Sequence, residues 1–221
     1  MRKLVTALTL VVLLGVAIGA HANVITLTFT GLADQEPIDN YYNGGLGGFG
    51  SGPGPNYGIV FSSDSLAIIS VLDGGTGNFS NVPPPATDTI AFFLNGVGDL
   101  MDVAAGFTTG FSFYYAAAAG IGGSVDVYSG LDGTGTDLAH LDLPPNGSFC
   151  GVEAYSCWSE VGVSFPGAAE SVVFSGSANY IGFADITLGS SQVNTPEPGS
   201  LLLLGSGVLG LAGVMRRKLG L

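Results

Sequence analysis

Residues 23–30 read Asn-Val-Ile-Thr-Leu-Thr-Phe-Thr, and apolar and polar side chains alternate from Ile25 to Thr30. Successive side chains of a β-strand point to opposite faces, so this pattern predicts a strand with one buried face. Similar runs recur along the chain between clusters of Gly, Pro, Asn and Asp. They span residues 58–61, 66–71, 88–94, 110–115, 123–128, 136–143, 159–165, 171–175 and 180–188.

Many short strands without intervening helices predict an all-β fold, and we expect a single antiparallel β-sandwich of jelly-roll type. Only residues 115–120, which include four consecutive alanines, favour a helical turn. Acidic residues beside glycine predict turns, as at Asp73-Gly74, Asp132-Gly133 and Gly98-Asp99. The sandwich is expected to occupy residues 23–191, which is long enough for one domain with a sizeable core.

The N-terminal segment has the pattern of a secretory signal. Arg2 and Lys3 precede an apolar run over residues 4–18, and Ala20-His21-Ala22 follows it. A basic start, a short apolar run and a small-x-small site predict that residues 1–22 are a signal peptide, cut after Ala22 by signal peptidase. The alternative is a retained membrane anchor, but the run is shorter than the roughly 20 residues that a spanning helix needs.

The C-terminal segment, residues 192–221, contains Pro196-Glu197-Pro198, then an apolar stretch over residues 199–215, then the basic tail Arg216-Arg217-Lys218. The apolar stretch is near the lower limit of about 17 residues for a transmembrane helix. The basic tail would stay on the cytoplasmic side. The prolines prevent the helix from extending toward the N-terminus, so the motif is expected to be extended and accessible outside the membrane.

This order of motif, apolar helix and basic tail resembles the PEP-CTERM sorting signal. The resemblance implies an exported protein that an exosortase-type membrane transpeptidase recognises and processes near Pro196, Glu197 and Pro198. Delivery to the cell surface or to an extracellular polysaccharide matrix would follow, after transient anchoring in the inner membrane. The alternative is a plain C-terminal anchor that is never cut.

The central region also resembles the β-sandwich ectodomains found in PEP-CTERM proteins, on Tyr42-Asn43-Gly44-Gly45 and on Ile-Gly-Phe-Ala-Asp-Ile-Thr-Leu-Gly at residues 181–189. Ala184 stands before Asp185 where the usual version has Phe. The broader jelly-roll group often binds carbohydrate and often carries a structural calcium ion. Tyr41, Tyr42, Phe49, Tyr57 and Trp158 lie in or beside predicted loops, where they either bind sugars or pack onto the core.

The central region contains Asp and Glu but no Lys or Arg. All five Lys and Arg residues lie in the two terminal segments, whereas the stretch from Asn23 to Pro198 holds all seventeen Asp and Glu and therefore carries a formal charge of −17. Nucleic acid binding is excluded, because such a region has no cations to replace the counterions of the phosphates. Repulsion among the carboxylates opposes a compact state, and a divalent cation would relieve it. The acidity also serves solubility.

From the resemblance to jelly-roll sandwiches, we expect calcium to join the loop after the first strand to the last strand. Those regions hold Asp34, Glu36, Asp39 and Asp185. Calcium takes about seven oxygen ligands, some from backbone carbonyls, so two carboxylates are sufficient. We expect Glu36 and Asp185 as ligands, with Asp34 as the substitute. The sequence Asp-Gly-Thr-Gly-Thr-Asp at 132–137 also looks like an ion loop, but a hairpin connection explains it more simply.

Cys150 and Cys157 are separated by six intervening residues in an exported chain, which predicts a disulfide rather than a metal pair.

Catalytic patterns are weak. Residues 45–50 match G-x-G-x-x-G, but no helix is predicted to follow, so a glycine-rich loop explains the match. His140 alternates with Asp142 along a predicted strand, and no nucleophile elbow accompanies it. A pair of acids for glycoside hydrolysis stays open. We therefore expect a non-catalytic surface or matrix protein that contacts exopolysaccharide; the alternative is a secreted glycan-active enzyme on a jelly-roll scaffold.

Overall fold

The computed structural model of the chain describes residues 24–86, 88–96, 98–147 and 150–193. Within these residues the chain forms twelve β-strands and a 3-10 turn at Val71–Asp73. The strands are β1 Ile25–Leu27, β2 Glu36–Pro37, β3 Ile59–Phe61, β4 Ser65–Ile69, β5 Thr89–Phe93, β6 Gly98–Thr108, β7 Phe111–Ala117, β8 Gly123–Tyr128, β9 Asp137–Leu143, β10 Ser159–Val163, β11 Ala168–Gly176 and β12 Ile181–Leu188.

The strands pair into two antiparallel sheets that pack face to face. The large sheet has the order β10-β7-β12-β5-β4-β2, and β1 pairs with the C-terminal half of β12. The small sheet has the order β3-β6-β11-β8-β9. Every strand pair is antiparallel, and the predicted all-β sandwich of jelly-roll type is confirmed.

An aromatic core fills the space between the sheets. Phe174 of the small sheet and Phe183 of the large sheet lie 4.9 Å apart between ring centroids, and Phe113 contacts both at 6.0 and 5.7 Å. All three side chains are fully buried. Because the core is built from apolar rings in edge-to-face contact, it holds the sheets together without ion pairs between them.

Two sequence predictions are wrong. Gly98 and Asp99 do not form a turn; they begin β6, a strand of eleven residues that the sequence pattern does not reveal. Asp99 takes an inward-facing position in line with Met101 and Val103, so a carboxylate stands where the alternation requires an apolar side chain. The predicted helical turn at residues 115–120 is also wrong, because β7 extends to Ala117 through its pairing with β12.

The predicted terminal elements lie outside the described residues. These are the signal peptide at 1–22, the motif at 196–198, the apolar helix at 199–215 and the basic tail at 216–218. The described part of the chain contains no helix that is long and apolar enough to cross a membrane. The boundaries of the sandwich at residues 23 and 191 stay predictions.

Candidate functional site

Two chain connections cover the outer face of the large sheet. One leads from β4 to β5, and the other leads from β9 to β10 and contains both cysteines. Between them and the sheet lies a small apolar cluster, separate from the main core, formed by buried Phe79, Ala86, Ile90 and Ala184. The cluster shows that these connections are packed parts of the fold.

The second connection is held in place by a disulfide and by backbone pairing. Cys150 and Cys157 are joined as their spacing predicts, with 5.1 Å between their Cα atoms. The backbone N–H of Tyr155 donates to the carbonyl of Asn78 at 3.1 Å, and the N–H of Ser80 donates to the carbonyl of Tyr155 at 3.2 Å. The disulfide-closed loop is therefore attached directly to the first connection.

Trp158 follows the disulfide and joins the same layer. Its indole Nε1 donates to the carbonyl of Ser80 at 2.9 Å. Its ring meets Phe79 edge to face, with 6.3 Å between the centroids and an interplanar angle of 85°. Because the polar atom of the indole has a partner, the rest of the half-buried ring can serve as an apolar wall.

An apolar depression opens between the two connections, and we call it the aromatic slot. Its free volume is about 40 Å³, enough for one small group rather than a whole sugar ring. Small residues give it depth: a Cβ atom at Gly182 would lie 2.7 Å from the Cδ1 of Ile90. The slot is lined by Ile68, Gly77, Asn78, Phe79, Ile90, Phe92, Ala116, Tyr155, Trp158, Asn179, Ile181 and Gly182.

The mouth of the slot is polar, in contrast to its floor. Asn78 and Asn179 are both exposed there, so their amides are available to a ligand. The hydroxyl of Tyr155 donates to the carbonyl of Asn179 at 3.5 Å, and burial raises the pKa of this tyrosine. The described lining contains aromatic rings, aliphatic groups and amides but no carboxylate or imidazole, so its chemistry is contact and hydrogen bonding.

Glu36, a predicted calcium ligand, anchors the glycine-rich loop. Its Oε2 accepts a hydrogen bond from the N–H of Ala33 at 2.6 Å, and its Oε1 accepts from the N–H groups of Phe49 and Ser51 at 2.8 and 3.0 Å. Burial raises the pKa of Glu36, but hydrogen bonds from Ser51, Ala33 and Phe49 outweigh burial and lower it. A Cβ at Gly47 would lie 2.6 Å from Oε1, so a glycine is required for this close approach.

Asp34 and Asp185 are bonded to other parts of the chain. Asp34 accepts from the N–H of Ile69 at 2.9 Å and from the hydroxyl of Thr76 at 2.7 Å. Asp185 is fully buried, and its Oδ1 accepts from the N–H of Ala86 at 2.9 Å. Among the residues that the structure describes, no three Asp, Glu, His or Cys side chains are placed to hold a metal ion. Calcium at Glu36 with Asp185 or Asp34 therefore stays a prediction.

Two buried aspartates keep one oxygen without a hydrogen-bond partner in the described structure, Oδ1 of Asp99 and Oδ2 of Asp185. Burial raises the pKa of Asp99 to about 8, with a smaller contribution from the neighbouring charge of Asp64. Burial also raises the pKa of Asp185 to about 7. A carboxyl group in such surroundings is favoured in its neutral form.

The outer face of the small sheet is polar and is not covered in the same way. We call it the acidic face, and it includes Asp102, Asp126, Tyr128, His140 and Asp142. The Nδ1 atom of His140 lies 2.5 Å from Asp126 Oδ1, and Nε2 lies 3.2 Å from Asp142 Oδ1. These hydrogen bonds raise the pKa of His140. His140 and Asp142 share one face, as their alternation predicts.

Of the five loop aromatics that the sequence singled out, one lines the slot. Tyr41 and Tyr42 are buried in the main core, Phe49 is exposed on the glycine-rich loop, and Tyr57 is exposed between that loop and β3. Trp158 lines the slot together with Phe79 and Tyr155, which no sequence pattern indicates. The one local signal was the disulfide, because Tyr155 lies within the loop that it closes.

Comparison with known families bears on the C-terminal segment, which lies outside the described residues. Residues 194–218 match the family model of the PEP-CTERM protein-sorting motif. The chain carries a PEP-CTERM sorting motif. The match includes Pro196, Glu197 and Pro198. The PEP-CTERM motif indicates an exported protein that is sorted by an exosortase and anchored transiently in the membrane before processing.

Solved structures resemble the sandwich only at the level of the fold. A family 6 carbohydrate-binding module is 17% identical, with a TM-score of 0.36 over 60% of this chain and 92% of that chain. A carbohydrate-binding module of Cellvibrio mixtus lichenase 5A is 13% identical, with a TM-score of 0.34 over 59% and 89%. An adhesin domain of Lys-gingipain from Porphyromonas gingivalis W83 is 14% identical, with a TM-score of 0.33 over 62% and 99%. No curated protein matches the chain.

Proposed function

We propose that this PEP-CTERM protein is a non-catalytic component of the cell surface or extracellular matrix, and that its sandwich binds exopolysaccharide at the aromatic slot. The observation that supports this function is the slot itself, with Phe79, Tyr155 and Trp158 around an apolar floor and two amides at its mouth. Flat aromatic rings match the apolar face of a pyranose, and amides exchange hydrogen bonds with its hydroxyl groups.

The position of the slot suits a polymer better than a small metabolite. It is small and opens on the covered outer face of the large sheet, where Tyr180, 49% exposed, lies next in the chain to Asn179. A polysaccharide could lie across this surface and place one substituent in the slot. Sorting of many copies to the cell surface or matrix would then bring many such weak contacts together.

The alternative, a glycan-active enzyme, has less support. Glycoside hydrolysis generally needs two carboxyl groups on either side of the scissile bond. The described lining of the slot has none, and the acidic face is on the opposite sheet. We therefore favour binding without turnover.

Processing belongs to the same proposal. We expect signal peptidase to remove residues 1–22 and an exosortase to process the chain near Pro196, Glu197 and Pro198. Mass spectrometry of the cell-surface form should detect neither the signal peptide nor peptides from residues 201–215. Recovery of those C-terminal peptides in the mature form would show that the segment is a permanent anchor.

Binding can be tested by co-sedimentation of the exported protein with insoluble polysaccharide from the producing cells. We expect the wild-type protein and Tyr128→Ala to sediment with the polymer and Tyr155→Ala to stay in solution. Tyr128 is a matched control because it is a half-buried tyrosine of the acidic face. Equal sedimentation of the two variants would place binding elsewhere, and release of reducing sugar would favour the enzyme.

A further inference from the structure

We infer that the polysaccharide bound at the aromatic slot is uncharged and carries small methyl-ended substituents, such as acetyl groups. This inference rests on the proposed function and names the class of ligand that the same site would take. Two independent features support it, the chemistry of the slot floor and the charge of the whole exported region.

The floor of the slot favours a methyl group over a hydroxyl group. Ile68, Ile90, Phe92, Ala116 and Gly182 offer no side-chain hydrogen-bond partner at the bottom of the slot. A sugar hydroxyl placed there would give up its bonds to water without replacement, which is costly. A methyl group gains from the same transfer, and the free volume of about 40 Å³ suits a group of that size.

The amides at the mouth fit the polar part of the same substituent. Asn78 and Asn179 each offer a donor and an acceptor beside the apolar floor. The carbonyl of an acetyl group, or the N–H of an acetamido group, would then lie near an amide while its methyl group contacts the floor. An acetyl ester and an acetamido group share this chemistry, so the experiment must distinguish between them.

Charge excludes acidic polymers from the same site. Between Asn23 and Pro198 the chain has seventeen Asp and Glu residues and no Lys or Arg. One of these acidic residues, Glu153, lies in the disulfide-closed loop, two residues from the slot residue Tyr155. The backbone N–H of Glu153 donates to the hydroxyl of Ser80 at 3.4 Å. A uronate or sulfate group would find no cationic partner and would be repelled by the field of the domain.

The inference can be tested by titration calorimetry of the exported protein with matched β-1,4-linked oligosaccharides. N-acetylglucosamine oligomers should bind about tenfold more tightly than glucose oligomers, because one buried methyl-sized group contributes roughly that factor. Partly O-acetylated glucose oligomers show whether an ester serves as well as an amide. An oligomer that alternates N-acetylglucosamine with glucuronate should not bind at low salt.

A variant that fills the aromatic slot tests the contribution of the slot separately from that of the surrounding surface. Ala116 is 2% exposed and lies on the floor, so Ala116→Val should remove the preference, lowering the affinity for acetylated oligomers to that for glucose oligomers. Ala105→Val is the matched control, because Ala105 is an exposed strand residue of the small sheet. It should keep the preference.

The outcomes distinguish the inference from the proposed function. Equal affinity for acetylated and plain oligomers, or an unchanged preference in Ala116→Val, would overturn the inference and leave glycan binding in place. Tight binding of the glucuronate-containing oligomer at low salt would overturn its charge requirement. Failure of every oligomer to bind would contradict the proposed function and the inference together.

Discussion

The two outer faces of the sandwich differ far more than its two inner faces. Inside, both sheets contribute the same kind of aromatic side chain, as the contact between Phe174 and Phe183 shows. Outside, the large sheet is covered by two long connections that enclose an apolar cluster and the aromatic slot, whereas the small sheet presents carboxylates and His140. The difference arises from the connections, which suggests that the sheets provide the scaffold and the connections provide the function.

The contrast between the two outer faces also explains how a region of formal charge −17 can fold. The acidic face keeps Asp142, whose side chain is 91% exposed, in water, where solvent and salt screen its repulsion with other carboxylates. The carboxyl groups of Asp99 and Asp185 are buried, and their raised pKa values favour the neutral form. If the two outer faces differ in this way, substitutions on the covered face should change stability far more than substitutions on the acidic face.

Trp158→Ala should reduce the free energy of unfolding most, by about 3 kcal/mol, because it removes a large side chain that packs against Phe79 and closes the apolar cluster. Urea denaturation of the exported protein measures the change. Tyr128→Ala, on the acidic face, should have little effect. A similar loss in both variants would mean that the connections do not add stability.

Removal of the disulfide by Cys150→Ser with Cys157→Ser should cost about 2.5 kcal/mol, since the loop that it closes is about eight residues long. The same denaturation experiment gives this value. Sugar binding should weaken as well, because the disulfide-closed loop carries Tyr155. If the double variant has the stability and affinity of the wild type, the backbone hydrogen bonds to residues 78–80 are sufficient to hold the loop in place.

Stability should fall as pH rises from about 4 toward 7 or 8. In the unfolded chain an aspartate ionises near its ordinary pKa of 3.8, whereas burial raises the pKa of Asp185 to about 7 and of Asp99 to about 8. Over this window the folded state holds protons that the unfolded state has released, so each rise in pH favours unfolding.

Between pH 5 and pH 8, Asp185→Asn should lose about 1–2 kcal/mol less of its free energy of unfolding than the wild type. The reason is that the variant lacks the carboxyl proton that is held in the folded state and released on unfolding. Thermal unfolding across this pH range measures it. Asp142→Asn is the control, since the Asp142 side chain is 91% exposed. A wild-type slope in Asp185→Asn would mean that this carboxyl is ionised in the fold.

His140→Gln should have the smallest effect. Its partners raise the pKa of His140, so the charged imidazole gives some stability below its raised pKa that is lost as pH rises through it. The pairs are on the exposed acidic face, where solvent and salt weaken them. Unfolding at pH 6 in low salt should reveal a slight loss that high salt abolishes. A large loss would give the acidic face a structural role.

The sandwich could be predicted from the sequence because apolar and polar side chains alternate along most of its strands. Residues 123–128 and 159–163 are examples, and the disulfide followed from the spacing of its cysteines. The strand β6 was missed because the buried carboxyl of Asp99 interrupts its apolar side. Local patterns cannot distinguish an aspartate that forms a turn from one that is buried in neutral form.

The slot could not be predicted, since its lining comes from distant parts of the chain. Phe79, Ala116, Tyr155 and Asn179 meet only through the register of the large sheet and the attachment of the disulfide-closed loop. The contacts of Glu36 could not be predicted either, because local sequence does not show which backbone N–H groups a carboxylate will accept hydrogen bonds from.

The most direct test of ligand binding on the covered face uses the intrinsic fluorescence of Trp158, because it is the only tryptophan of the chain and lines the slot. Titration of the exported protein with N-acetylglucosamine oligomers should give a saturable change in tryptophan emission, which Tyr155→Ala should abolish and Tyr128→Ala should preserve. If calorimetry detects binding while the emission of Trp158 stays constant, the ligand binds elsewhere and the account of the slot is contradicted.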